Sequence, residues 1–334
     1  MTPLIQIQSL KKYFPVYGGL LSRVVAQVKA VESVSLTIRR GETVGLVGES
    51  GCGKTTLGRM SLRLIEPTAG QVLFNGQDIL GMDRSNLARI RPKMQIIFQD
   101  PYSSLNPRFT VERLIGEAML VHGHTNAAGA RQKIEALMDQ VGLSPRYLNR
   151  FPHEFSGGQR QRIGIARALA LDPDYIVCDE PVSALDISIQ AQIVNLLKEL
   201  QAKRDLALLF ISHDLAMVKY LAHRTAVMYL GRLVETAPTN KLNSEPAHPY
   251  TQALLAAKPS LDPRRREPRT VLEGDVPSPL TPPAGCYFHP RCPEVMDRCR
   301  SETPAATRLD EDHIVHCHLY TEATTVPQPR AHHE

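Results

Sequence analysis

Tryptophan is absent from the 334 residues, and aromatic residues make up only 5% of them. The stacking platforms that hold single-stranded nucleic acid therefore have little to be built from. No uninterrupted apolar run approaches the roughly 20 residues needed to span a bilayer. The opening Met1-Thr2-Pro3-Leu4 also lacks the basic-then-apolar plan of a secretory signal. A cytosolic chain is expected, reaching a membrane only through partners. An excess of one charge sign is missing too. With 39 basic residues facing 34 acidic ones, the net charge of +5 is too even to mark a nucleic-acid binder by itself. The 21 glycines and 25 prolines follow no collagen-like period, and no other fixed repeat occurs. What remains, 43% hydrophobic and 22% charged, is the balance of a soluble, core-forming protein. The length favours one large domain or a domain with an appendage.

Residues 4 to about 255 alternate short apolar strands with helical periodicity. Val44-Gly45-Leu46-Val47, Gln95-Ile96-Ile97-Phe98, Tyr175-Ile176-Val177-Cys178 and Ala207-Leu208-Leu209-Phe210-Ile211 read as buried parallel strands, apolar on both faces. Ile134, Leu137, Met138 and Val141 recur at helical spacing, as do Ile189, Ile193, Leu196, Leu197 and Leu200. The class is α/β, a parallel sheet sandwiched by helices. Val34-Ser35-Leu36-Thr37-Ile38 alternates like a half-exposed antiparallel strand. Asn75-Gly76 after Val72-Leu73-Phe74 is a hairpin-turn signal, so a small antiparallel sheet should flank the core. Beyond residue 255, seven prolines fall between Pro259 and Pro283, with Arg264-Arg265-Arg266 among them. Helix and central strand are both disfavoured there, and we expect a linker or extended arm. The end, Thr321 to Glu334, is expected to fray. Cys52 and Cys178 lie in the body, while Cys286, Cys292, Cys299 and Cys317 crowd the last fifth. In a reducing compartment such clustering suggests a metal more than disulfides.

Gly48-Glu49-Ser50-Gly51-Cys52-Gly53-Lys54-Thr55 encloses four residues between two glycines and ends in Gly-Lys-Thr. It follows an expected strand, and Thr56-Leu57-Gly58-Arg59-Met60 onward can form a helix. In that context it is a P-loop, whose glycines let the backbone wrap phosphate oxygens with its N–H groups inward. Lys54 would reach the β and γ phosphates and Thr55 would ligate Mg²⁺. The plain alternative, a glycine-rich turn that binds nothing, is opposed by strand, motif and helix in sequence. Val177-Cys178-Asp179-Glu180 ends a second apolar strand in two carboxylates. Asp179 sits where an acceptor for Mg²⁺ or for its water is needed, and Glu180 could orient the attacking water or take its proton. Alone, such a pair is usually a solvated loop entrance; a P-loop about 125 residues earlier makes it a candidate hydrolytic site. Cys52 and Cys178 read as small fillers rather than nucleophiles.

Phe155-Ser156-Gly157-Gly158-Gln159-Arg160-Gln161-Arg162 leads into the helix-prone Ile163-Gly164-Ile165-Ala166-Arg167-Ala168-Leu169. A Ser-Gly-Gly turn opening a helix makes a second anion-binding end, although a single nucleotide needs only one. On these residues the chain resembles the ATP-binding cassette (ABC) ATPases, whose signature loop reads Leu-Ser-Gly-Gly-Gln; Phe155 stands for the Leu. Other family markers follow in order. Gln99, after Ile96-Ile97-Phe98, resembles the Q-loop glutamine that senses Mg²⁺ and the permease. Ser183-Ala184-Leu185-Asp186 resembles the D-loop, with Asp186 at its end, and Ser212-His213-Asp214 the switch histidine.

The resemblance implies a P-loop NTPase fold with a parallel core sheet, a flanking antiparallel β-subdomain and a helical subdomain over about 100–172. It implies a nucleotide-binding domain at 1–255 and a Pro-rich arm with a Cys-cluster extension at 256–334. ATP would be bound by Gly48, Glu49, Ser50, Gly51, Cys52, Gly53, Lys54, Thr55, Thr56 and Gln99, with Mg²⁺ at Thr55, Gln99 and Asp179. Catalysis would fall to Glu180, His213 and Lys54. Two cassettes would close head to tail, Ser156, Gly157, Gly158 and Gln159 of one capping the ATP on the P-loop of the other. ATP then supplies the charge that bridges the two surfaces, and the bridge weakens after hydrolysis and phosphate release. An N-terminal aromatic should stack on adenine, Phe14 in preference to Tyr13 or Tyr17.

Three stretches resemble one branch, the ATPase subunits of bacterial oligopeptide and dipeptide importers. They are Gln99-Asp100-Pro101-Tyr102-Ser103-Ser104-Leu105-Asn106-Pro107, His248-Pro249-Tyr250-Thr251-Gln252-Ala253-Leu254-Leu255 and the cysteine tail. That branch implies a second, distinct ABC ATPase subunit, two transmembrane permeases and an extracytoplasmic peptide-binding protein as partners, with no nucleic acid. It implies a peripheral place on the cytoplasmic face of the bacterial inner membrane. The first stretch should meet a permease's coupling helix, or else form an ordinary polar loop. The cysteine gaps of five, six and seventeen residues suit Zn²⁺ or an iron–sulfur cluster, since both accept four thiolates. Zinc favours cysteine pairs two to four residues apart, and none exists here, although His289, His313, His316 and His318 could serve. In the importer branch this spacing carries a [4Fe–4S] cluster, which the resemblance therefore implies in a structural or regulatory role. Unliganded thiols in a tail are the plain alternative. A soluble ABC ATPase acting on nucleic acid or ribosomes is a competing class, but it usually carries two cassettes or a long coiled coil in one chain. A cassette that has lost hydrolysis is a third reading, opposed by Lys54, Asp179, Glu180 and His213.

Overall fold

The computed structural model describes residues 3–18, 22–100, 102, 104–122, 127–257 and 274–320. The chain opens with a long antiparallel hairpin, β1 (Pro3–Gly18) and β2 (Arg23–Arg39), then enters the core through β3 (Thr43–Val47) and α1 (Lys54–Ser61). A second hairpin, β4 (Ala69–Phe74) and β5 (Gln77–Asp78), precedes α2 (Arg84–Ile90) and β6 (Met94–Ile97). Three helices follow, α3 (Val111–Val121), α4 (Ala127–Gln140) and α5 (Gly157–Leu169). Then come β7 (Tyr175–Asp179), α6 (Ile187–Arg204), β8 (Ala207–Ile211) and α7 (Leu215–Leu221). After β9 (Arg224–Tyr229), β10 (Arg232–Pro238), α8 (Thr239–Ser244) and α9 (Pro249–Ala256), the C-terminal region holds α10 (Asp297–Ser301), β11 (Thr307–Asp310) and β12 (His313–Val315).

The main sheet has the order β11-β12-β10-β9-β3-β8-β7-β6, and its strands from β9 to β6 are parallel. Continuous apolar strands bury both faces, and the two faces feed separate cores. Leu208 and Phe210 of β8 pack with Ile176 and Cys178 against Ile115, Ile134 and Met138 of the helices. Leu209 and Ile211 pack with Leu46 and Val177 against Ile5, Leu36 and Val72 of the small sheet. Each fully buried aliphatic side chain contributes about 1.5–3 kcal/mol, so both layers press on the strands whose ends carry the site. The helical stripes behave as their spacing requires: Ile134, Leu137, Met138 and Val141 are buried, as are Ile193, Leu196, Leu197 and Leu200. In β2, Val34, Leu36 and Ile38 are buried while Ser35 and Thr37 are exposed. Asn75 and Gly76, at φ +50° and +80°, form the two-residue turn between β4 and β5.

The sheet departs from the expected purely parallel arrangement at one edge. Leu230 and Gly231, at φ +42° and +83°, turn the chain directly from β9 into an antiparallel β10. A two-residue connection can join only antiparallel strands, and a leucine at positive φ offers no turn signal in sequence. The C-terminal region continues the sheet: Glu235 pairs with Val315 and Thr236 with Ile314. Part of the expected arm is ordered, because the Lys29 amide donates to the Pro279 carbonyl at 3.1 Å. Pro259, Pro263, Pro268, Arg264, Arg265, Arg266 and Thr321 to Glu334 lie outside the described residues.

A wholly buried carboxylate fastens this edge. Glu235 accepts the amides of Ala247 at 2.8 Å and His248 at 2.9 Å, and His313 Nε2 lies 2.8 Å away. Burial works to raise its pKa, but His313, Thr251 and the two amides hold it below the ordinary 4.5. A lowered carboxylate pKa contributes stability above the unfolded value and loses it as pH falls through the folded one. Glu235→Gln should therefore destabilise the protein by about 2–4 kcal/mol at neutral pH. Its melting temperature should also fall less steeply than that of the wild type on acidification below about pH 4.5, as thermal melts across pH would show.

Candidate nucleotide-binding site

Between the end of β3 and the start of α1 the chain wraps through Gly48–Gly53. A Cβ at Gly53, where φ is +104°, would stand 2.1 Å from the Ala30 carbonyl oxygen. One at Gly48 would stand 2.1 Å from the Met228 oxygen. These glycines let the loop press against β2 and β9. The unpaired first amides of α1 open onto the loop, as in a phosphate site. Lys54 Nζ donates to the carbonyls of Gly48 at 2.8 Å and Glu49 at 2.9 Å, folding the ammonium back onto its own loop. Ser50 and Gly51 are exposed, Thr55 and Thr56 half-buried. Cys52 is buried, as is Cys178, whose pKa burial pushes up to about 12; both pack as apolar fillers.

Thr55 Oγ1 donates to Asp179 Oδ1 at 2.7 Å, tying α1 to the end of β7. Asp179 Oδ2 is buried without a hydrogen-bond donor, and Arg59 Nη2 stands 3.6 Å from it. Burial pushes the Asp179 pKa up, against the Thr55 hydrogen bond and the Arg59 charge. A buried carboxylate oxygen without a hydrogen-bond donor, beside a threonine hydroxyl, is a hard-oxygen set that fits Mg²⁺.

Glu180 follows directly, at φ +45°. A non-glycine residue there is strained by about 1–3 kcal/mol. Its Oε2 accepts from Gln99 Nε2 at 3.0 Å and lies 3.5 Å from His213 Nδ1. These three residues leave the ends of β6, β7 and β8, adjacent parallel strands that finish at one edge of the sheet, where ligands bind in open α/β sheets. A small cleft lined by Glu180, Ser183, Ser212, His213 and Met217 opens beside them.

The Ser-Gly-Gly turn stands apart. Ser156 Oγ accepts the Gln159 amide at 3.4 Å, and Gln159 Oε1 accepts the Ser156 amide at 3.1 Å, a capping box that starts α5. Ser156 is exposed, and among the described residues no hydrogen bond or ion pair joins positions 156–159 to the P-loop. Gly158 is needed for packing, since a Cβ there would meet Ile189 at 2.4 Å. Asp186 is exposed at the start of α6, next to Ile187, which is 84% exposed. Of the three N-terminal aromatics, Tyr13 is committed through its hydroxyl to Glu32 at 2.6 Å. Phe14 is 36% exposed with Lys12 Nζ 4.9 Å from its ring centroid, and Tyr17 is further exposed.

The four C-terminal cysteines are free thiols. Burial raises the pKa of Cys286 and lifts those of Cys292 and Cys317 to about 11. Neighbouring sulfurs add to these shifts: Cys292 is raised by Cys317, Cys286 and Cys299, Cys317 by Cys286 and Cys299, and Cys286 by Cys299. The Cys286 amide donates to the Cys299 carbonyl at 2.9 Å. Among the described residues no three His, Cys, Asp or Glu side chains reach the separations of a metal centre. His313 is committed to Glu235, His289 Nδ1 meets the Cys286 carbonyl and His318 Nε2 the Glu302 carbonyl.

Contacts on Glu49 escaped sequence reasoning. Its amide donates to Tyr250 Oη at 3.0 Å, and Arg291 donates to both of its carboxylate oxygens. With the partners 201 and 242 positions apart in sequence, no local pattern signals them.

Comparison with known proteins follows the same lines. The ABC transporter family model matches residues 31–183, and the model for the oligopeptide/dipeptide transporter C-terminal region matches residues 234–299. A probable peptide ABC transporter ATP-binding protein of Sinorhizobium fredii is 52% identical over 319 residues, covering 95% of this chain and 90% of that one. The chain belongs to the ABC transporter ATP-binding proteins. The oligopeptide transport ATP-binding protein AppF of Bacillus subtilis is 49% identical to this cassette, across 95% of this chain and 98% of AppF. A solved dimeric ATP-binding cassette in a post-hydrolysis state with ADP and Pi superposes with a TM-score of 0.63 at 26% identity, covering 70% of this chain and 98% of its own. The cassette is thus an ATPase of the ABC type.

Gly53→Ala should lower ATP affinity at least about tenfold, because its Cβ has nowhere to go. Gly51→Ala, whose Cβ meets nothing within 4 Å, should lose less. Equilibrium binding of a fluorescent ATP analogue to both variants checks this, and equal losses would contradict the packing account.

Proposed function

We propose that this cassette is the ATP-hydrolysing motor subunit of a bacterial peptide importer. The observation that carries the reading is the single Glu180 oxygen bonded by Gln99 and flanked by His213, next to the Thr55–Asp179 pair. In this reading Lys54 and the amides of residues 48–56 grip the β and γ phosphates of ATP. Thr55 and Asp179 Oδ2, with Gln99 nearby, would hold Mg²⁺, which when bound supplies positive charge against the phosphates. Glu180 orients the attacking water and accepts its proton, and His213 steadies the same carboxylate oxygen that Gln99 holds. Phe14, free of the hydrogen bond that ties down Tyr13, stacks on adenine.

The second half of the site comes from a second cassette, whose Ser156, Gly157, Gly158 and Gln159 cap the ATP while Asp186 lines the junction. The exposed turn, the exposed Ile187 beside Asp186 and the dimeric solved relative support this. The matching C-terminal model and relatives named for peptide transport support permease partners, a peptide-binding protein and a peripheral place on the membrane's cytoplasmic face. Among the described residues no helix is long and apolar enough to cross a membrane. We assign residues 1–255 to the nucleotide-binding domain, with helices at about 100–172 as its subdomain, and 256–334 to the extension. Thiols are soft donors of the kind iron–sulfur clusters take, and we read Cys286, Cys292, Cys299 and Cys317 as holders of a [4Fe–4S] group.

Glu180→Gln should retain ATP binding while turnover falls by at least about a hundredfold, measured as phosphate release from the assembled transporter; wild-type turnover would remove Glu180 from this role. Protein purified without oxygen should be brown and contain iron. Colourless protein with stoichiometric zinc would replace the cluster by Zn²⁺.

A further inference from the structure

Glu49, the second residue of the P-loop, is held at every polar position it has. Its carbonyl accepts from Lys54 Nζ at 2.9 Å, its amide donates to Tyr250 Oη at 3.0 Å, and its carboxylate oxygens accept from Arg291 at 3.0–3.3 Å. Only the first of these partners is local. Tyr250 stands in α9 and Arg291 just before Cys292, and one aromatic cluster fixes both segments. The Phe288 ring centroid lies 5.3 Å from Tyr229 and 5.4 Å from Tyr250, and both Phe288 and Tyr250 are fully buried. His248 Nδ1 accepts the Tyr250 amide at 3.0 Å, capping α9. The Arg291 side chain is 7% exposed and that of Glu49 26%, so the two-pronged ion pair is partly buried.

This pairing matters because of where the charge lies. A carboxylate on the loop that receives a triphosphate repels it unless neutralised, and the repulsion is strong where water is scarce. With Arg291 across it, Glu49 presents no net charge, and Lys54 acts on the phosphates unopposed. We propose that Arg291 is a positioning residue of the nucleotide site: from the C-terminal region it fixes and neutralises Glu49, so ATP affinity depends on how that region is seated. Displacement of the segment joined to Cys292 therefore weakens ATP binding. This rests on the nucleotide reading of the P-loop.

The test is equilibrium binding of MgATP to the purified full-length chain. Lys54→Ala should lose affinity, as the P-loop reading requires. Arg291→Ala should raise Kd roughly three- to tenfold, and Arg291→Lys, which keeps the charge but not the fork, should raise it less. Adding Glu49→Gln to Arg291→Ala should bring Kd back to within about twofold of the wild type, because no unpaired carboxylate then faces the phosphates. A merely structural Arg291 would show no such rescue, and that result, or an unchanged Kd in Arg291→Ala, overturns the inference. Should Arg291→Ala fail to fold, Arg291→Gln takes its place, and an unchanged Kd there overturns the inference. Wild-type affinity in Lys54→Ala would bring down the P-loop reading itself, and this inference with it.

Discussion

The hydrogen bond from Thr55 to Asp179 joins the first turn of α1 to the last residue of β7, and the nucleotide site is arranged around it. On one side lies the loop that begins at Gly48; on the other, Glu180 reaches Gln99 and His213. The arrangement holds because β3, β8, β7 and β6 are adjacent and parallel, so their C-terminal ends share an edge. Two apolar layers clamp those strands, and the strain of Glu180 at positive φ is borne by that rigid frame. Buried Asp179 keeps one oxygen without a donor, which is costly in a core and useful beside a cation.

The C-terminal region is seated on this frame at several points. β12 extends the sheet along β10, Glu235 bonds His313, Asp312 pairs with Arg39, and Arg291 reaches the P-loop. The same region holds four cysteines, and burial, with neighbouring thiols adding to it, discourages ionisation of Cys286, Cys292 and Cys317. A metal centre there would relieve that penalty and brace the segment that ends in Arg291. Structural support and nucleotide affinity would then share one set of contacts.

Much of this was legible in the sequence because it is local. Gly48 to Thr55 is contiguous, Asp179 and Glu180 terminate one apolar strand, and the α4 and α6 stripes follow helical spacing. The Asn75-Gly76 turn is equally local. Other features required the fold. Leu230 adopts a positive φ that no leucine advertises, so the turn into β10 and the strands beyond it were unread. Tyr250 and Arg291 meet Glu49 across more than 200 residues, through an aromatic cluster whose members look like ordinary core. The His248-Pro249-Tyr250 stretch was legible as a family marker, but its physical task, capping α9 and holding a P-loop amide, was not.

The most direct test of the account is a structure of the assembled complex with MgATP bound to the Glu180→Gln variant. It should place the γ-phosphate between Lys54 of this chain and the Ser-Gly-Gly turn of a companion cassette, with the cation on Thr55 Oγ1 and Asp179 Oδ2. Phosphates seated away from Lys54, or facing solvent where the companion's turn should be, would contradict it.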